Sequence, residues 1–116
     1  MLNKFLISAL CAGLIMLGGC HNDAESVNKD KVPDISAASL YQTAKASMAN
    51  GDFSKARNYL EALDTRYPFG EYTDQVQLDL IYVYYKSRDT ELAEAAANRY
   101  QRINPTSIYA DYVAYM

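Results

Sequence analysis

From Ala37 to the end of the chain, apolar residues return every three or four positions, and no stretch alternates with a period of two. That spacing predicts helices with one buried face and places no strands. Leu40, Ala44 and Met48 mark a first helix, with Ala37 and Ser47 beside them. Asn50-Gly51-Asp52 interrupts it: glycine can take the left-handed conformation that ends a helix, and Asp52 or Ser54 can cap the next. Phe53, Ala56, Leu60 and Leu63 form the second stripe, which Tyr67-Pro68 stops because proline lacks an N–H and restricts the residue before it. A third helix starts near Thr73 or Asp74 and carries Val76, Leu80, Ile81, Tyr84 and Tyr85. After Ser87-Arg88-Asp89-Thr90, a fourth runs from Glu91 to about Ile103, with Ala93, Ala96, Ala97 and Tyr100 on its apolar face. Asn104-Pro105 stops that one, and a fifth begins near Ser107 and is still running at Met116.

The helices come in similar pairs. Setting Pro68 on Pro105 gives a period of 37, which puts Ala56 on Ala93, Leu60 on Ala97, Leu63 on Tyr100 and Ala44 on Ile81. Small residues at Ala44 and Ala56 let the two helices of a pair approach closely, with Phe53 wedged against them. The second unit has Arg88 where the first has Gly51, and Thr90 where it has Phe53. This spacing resembles the tetratricopeptide repeat, a helix–turn–helix unit of about 34 residues. The fold class expected is all-α: two such repeats plus the first helix of a third, over 37–116.

The first part of the chain follows another pattern. Lys4 precedes a charge-free run from Phe5 to Met16, and Leu17-Gly18-Gly19-Cys20 follows. A charged start, an apolar run and a small-residue site make a secretory signal peptide, here 1–19. The run is shorter than the roughly 20 apolar residues of a bilayer span. Cysteine directly after two glycines resembles the lipobox of bacterial lipoproteins. The resemblance implies that Cys20 becomes the acylated first residue of the mature chain. Cys11 is discarded with the leader, so no thiol remains for a disulfide, a nucleophile or a metal site. His21, rather than aspartate, follows the cysteine; by the sorting pattern of such lipoproteins this points to the outer membrane, on its periplasmic face. Residues 20–36 hold few apolar groups, several charges and Pro33, and read as a lipidated, flexible tether.

Charge and chemistry narrow the function by exclusion. Without Lys4 the chain has ten Lys and Arg against 14 Asp and Glu. This acidic balance, with no basic run, argues against nucleic acid as a partner. One histidine, His21, sits in the tether. There is no cysteine pair, His-x-x-x-His spacing, glycine-rich phosphate loop or activated-serine motif. Asp74, Asp79, Glu91 and Glu94 read as first-turn and solvated-face carboxylates. The expectation is a protein that is not an enzyme, with no metal site and no cofactor beyond the lipid on Cys20.

Two longer stretches carry a narrower resemblance: Arg66-Tyr67-Pro68-Phe69-Gly70, and Gln75-Val76-Gln77-Leu78-Asp79-Leu80-Ile81-Tyr82. With the lipobox, the tether and the closing Tyr109-Ala110-Asp111-Tyr112-Val113-Ala114-Tyr115-Met116, the chain resembles the N-terminal half of the BamD family. These are lipoprotein subunits of the outer-membrane β-barrel assembly machinery, built of about five repeats. The resemblance implies a non-catalytic, lipid-anchored adaptor that helps recognise and insert unfolded outer-membrane protein precursors. It implies the subunits BamA and BamC as partners, with most of the docking half beyond this chain. A general envelope scaffold that organises cell-wall enzymes is the alternative.

Tyrosine is abundant, 11 in the chain against no tryptophan. In a tetratricopeptide array the first helix of each pair lines the groove. The alignment then places Tyr41, Leu78, Tyr82, Tyr85 and Lys86 on that face, with Tyr112 and Tyr115 extending the row. Tyrosine offers apolar area with a polar tip at low entropic cost, and Lys86 can attract a terminal carboxylate. Tyr59, Tyr84 and Tyr100 are read instead as packing residues. The fifth helix, without a partner, is expected to leave an apolar strip open and to favour self-association.

Overall fold

The computed structural model describes residues 32–116. The signal peptide, Cys20, His21 and the tether as far as residue 31 lie outside the described residues. Five helices follow in order: α1 Ala37–Ala49, α2 Phe53–Arg66, α3 Thr73–Lys86, α4 Thr90–Ile103 and α5 Ala110–Tyr115. Strands are absent among the described residues. Each helix packs chiefly on its neighbours in sequence, α1 on α2, α2 on α3, α3 on α4 and α4 on α5.

The two tight turns are built alike. Gly51 has φ +75°; its N–H donates to the Met48 carbonyl and that of Asp52 to the Ser47 carbonyl. This pair of bonds is the Schellman arrangement, which satisfies carbonyls left over at a helix end. Arg88 stands one repeat later at φ +61° and makes the same pair, Arg88 to Tyr85 and Asp89 to Tyr84. The fold therefore imposes on arginine a conformation that glycine adopts freely. Asp52 and Asp89 then cap α2 and α4 through the Lys55 and Leu92 amides.

The core runs along all five helices. Leu40, Ala44, Ala56, Leu60, Ile81 and Val83 have no exposed surface at all. Tyr100 is also enclosed, and its hydroxyl lies 3.0 Å from Ser107 Oγ. Every buried polar side-chain atom among the described residues has a hydrogen-bond partner.

Two boundaries differ from the sequence reading. The end of the stretch read as tether is docked on the domain. Arg66 donates to the carbonyls of Val32 and Pro33, both at 2.8 Å, and Tyr67 Oη donates to that of Ile35. Val32 and Ile35 pack against the core. The fifth helix starts at Ala110 rather than near Ser107. Residues 104–110 first make two successive turns, Ser107 to Asn104 and Ala110 to Ser107. Ser107 Oγ accepts from the Tyr109 amide, so it serves the turn and not a helix start.

Candidate functional site

Long side chains of α1 reach α3 at one carboxylate, Asp79. Asp79 is 6% exposed. It accepts from Tyr41 Oη at 3.2 Å, from Gln75 Nε2 at 3.1 Å and from Lys45 Nζ, 3.4 Å from both oxygens. Gln75 and Asp79 are one turn apart on α3, and Tyr41 and Lys45 one turn apart on α1, so the four groups meet on facing stripes. A buried carboxylate needs such partners, since an unpaired charge in a low-dielectric interior is costly. Tyr41 also stacks on Tyr72, with ring centroids 4.7 Å apart. Its hydroxyl is pushed up to about pKa 12, first by burial and then by the Asp79 charge and hydrogen bond.

Further along α3 the surface becomes aromatic and cationic. The Phe53 ring meets Tyr82 edge-on at 6.1 Å, and Lys86 Nζ lies 5.7 Å above the Phe53 ring. Tyr85 is half exposed. On α5, burial first, and then the charges of Asp79 and Tyr82, raise the Tyr112 phenol above its ordinary pKa. Tyr115 is 86% exposed.

Of the expected row, Tyr41 joins the Asp79 cluster, Tyr82 and Lys86 meet at the Phe53 ring of α2, Tyr85 is half exposed on the same helix as Tyr82, and Tyr112 and Tyr115 stand on α5. Leu78 is a correction. It is 4% exposed and belongs to the core, so it has no surface to offer a peptide. Asp79 is another: it is not a solvated-face carboxylate but the buried node of the site. Sequence reasoning also passed over Lys45 and Tyr72. The available signal was a lone acid within the apolar run Val76 to Val83, which calls for donors from a facing helix.

A second network ties the repeats together away from this face. Arg57 donates to Glu61 at 2.8 Å and to Asp89 at 3.3 Å, while Tyr84 Oη donates to Glu61 at 3.0 Å. The Arg57 guanidinium lies 5.2 Å from the Tyr84 ring centre. Burial and Glu61 hold the Tyr84 phenol well above its ordinary pKa. Tyr84 and Tyr100 thus pack, as read from the sequence, and Tyr59 is partly buried.

A cleft of about 440 Å³ opens between the α2–α3 connector and the end of α4, lined by Asp64, Asp74, Gln77, Arg99, Tyr100 and Ile103 among others. It shares no lining residue with the tyrosine row. Arg99 and Gln77 close one wall by bonding each other and Asp64. Among the described residues, no group of three or more His, Cys, Asp or Glu side chains is placed to hold a metal ion. No described helix is long and apolar enough to cross a membrane.

The chain matches the tetratricopeptide-repeat family over residues 28–116. It is 46% identical over 110 residues to the outer membrane protein assembly factor BamD of Vibrio cholerae, covering 95% of this chain and 43% of that protein. It is 40% identical over 77 residues to the BamD of Pasteurella multocida, covering 66% of this chain and 30% of the relative. Against the BamD of Xylella fastidiosa (strain 9a5c) it is 30% identical over 111 residues, with 96% and 37% covered. The chain thus spans less than half the length of these relatives. It belongs to the tetratricopeptide-repeat family and is homologous to the outer membrane protein assembly factors BamD.

Proposed function

We propose that this protein is a non-catalytic adaptor for assembling outer-membrane β-barrel proteins, held at the periplasmic face of the outer membrane by lipid on Cys20. Similarity to proteins named BamD supports the process. The α1–α3 face supports the role within it. Tyr41, Tyr82 and Tyr85 offer aromatic area with polar tips, and Lys86 adds a cation. Such a face suits an extended peptide that carries aromatic side chains, as the C-terminal strand segment of an unfolded barrel precursor does. BamA and BamC are the proposed neighbours in the assembly complex.

The observation that carries this reading is the meeting of Tyr82 and Lys86 at the Phe53 ring, with Tyr85 half exposed one turn from Tyr82 on the same helix. Each aromatic contact contributes about 1 kcal/mol. In the full-length protein, the Tyr82→Ala, Tyr85→Ala double variant should therefore bind an aromatic-ended precursor peptide roughly tenfold more weakly. Circular dichroism checks that helicity is kept. Site-specific cross-linking from Tyr85 should capture unfolded barrel precursors. Unchanged affinity in a folded double variant would remove these tyrosines from the binding role.

A further inference from the structure

Two lysines flank the tyrosine row, and their surroundings differ. Lys45 is half exposed and lies 3.4 Å from Asp79. Asp79 is buried, so its charge is little screened by solvent and acts strongly on the ammonium it faces. Lys86 makes no ion pair among the described residues and lies over the Phe53 ring. The carboxylates in the turns before α2 and α4 bond other groups. Asp52 caps α2, and Asp89 caps α4 while pairing with Arg57. The two lysines are therefore unlike: one is paired with a buried carboxylate, the other has no ion pair among the described residues and lies beside aromatic rings.

We infer that the α1–α3 groove is one-ended, and that Asp79 sets its polarity. By neutralising Lys45, Asp79 leaves Lys86 as the cation for a peptide's terminal carboxylate, so a bound C-terminal segment ends at the Phe53–Tyr82–Lys86 end and runs back toward Tyr41. The terminal aromatic side chain then meets the rings of Phe53 and Tyr82. Asp79 does not touch the peptide; it is a positioning residue that acts through Lys45 and Tyr41. This rests on the peptide-groove reading above.

The test uses the full-length protein and one aromatic-ended peptide in two forms, free acid and C-terminal amide. Fluorescence anisotropy gives the ratio of their affinities. The native protein should prefer the acid by roughly threefold to fivefold, the size of a part-exposed charge contact. Lys86→Met should abolish that preference, and Lys45→Met should leave it. In Asp79→Asn, freed Lys45 should raise the preference for the acid, and adding Lys45→Met should cancel the rise. If Asp79→Asn does not fold, the comparison of Lys86→Met with Lys45→Met in the native background decides alone. A preference that follows Lys45 while binding still depends on Tyr82 and Tyr85 overturns the polarity and leaves the groove reading standing. Absence of binding by either peptide, or binding indifferent to Tyr82 and Tyr85, sinks the groove reading and this inference with it.

Discussion

At the turn positions Gly51 and Arg88, one backbone geometry is met by two residues of opposite aptitude. Both have positive φ. A side chain there costs about 1–2 kcal/mol, and glycine's extra freedom in the unfolded chain offsets part of this. Arg88→Gly should therefore stabilise the domain by about 0.5 kcal/mol, read as a rise of a few degrees in Tm. Gly51→Ala should do the reverse and cost about 1 kcal/mol. No atom lies within 4 Å of a β-carbon at Gly51, so that cost is the backbone's alone. Tyr41 gives a pH dependence. Its folded pKa is about 12, raised above the ordinary value near 10. Its contribution is fully present below pH 10 and is lost as pH climbs from there toward 12. Tyr84 is shifted in the same direction. Alkaline unfolding of Tyr41→Phe should consequently show a shallower loss over that window than the native chain. The apolar positions were legible one by one, because burial follows periodicity. Asp79 was not, because its burial depends on donors from a helix 34 and more residues away.

Helix placement was legible wherever a local signal exists. Asp52 announces α2, the turn Ser87-Arg88-Asp89-Thr90 precedes α4, and the Pro68 and Pro105 corners end them. The start of α5 was not, since Ser107 looks like a cap in sequence and bonds a turn amide in space. Tyr72 and Tyr109 precede α3 and α5 without any side-chain cap, so the connector sets those starts. The two caps also differ. Among the described residues, Asp52 bonds only its own helix, whereas Asp89 also holds Arg57 of α2. Asp52→Ala should cost about 1 kcal/mol, and Asp89→Ala should cost more, by up to about 1 kcal/mol for the part-exposed ion pair. Chemical denaturation of the two variants checks the order. Equal losses would mean that the Arg57 contact contributes nothing.

Over the whole molecule, contacts join neighbours in line, so stability is passed along the array rather than pooled in one centre. α5 has one buried side chain, Val113, and packs mainly on α4. Hydrogen exchange should be fastest in α5 and slowest in α2 and α3, each of which packs extensively on both of its neighbours, whereas α4 packs extensively only on α3. Leu60 is fully buried at the middle of α2, and Leu60→Ala should cost about 2–5 kcal/mol and speed exchange in both repeats together. The clamp of Arg66 on Val32 and Pro33 reaches further. A lipid on Cys20 would hold the domain by a leash of twelve residues, at most about 40 Å when fully drawn out. That leash is moored beside the last turn of α2, while Phe53, at the cationic end of the groove, begins the same helix about 20 Å away. With the proposed lipid and peptide both engaged, a membrane would pull on one pole of the domain while the captured chain end would rest at the other, and Arg66 would be the cleat that keeps the two apart.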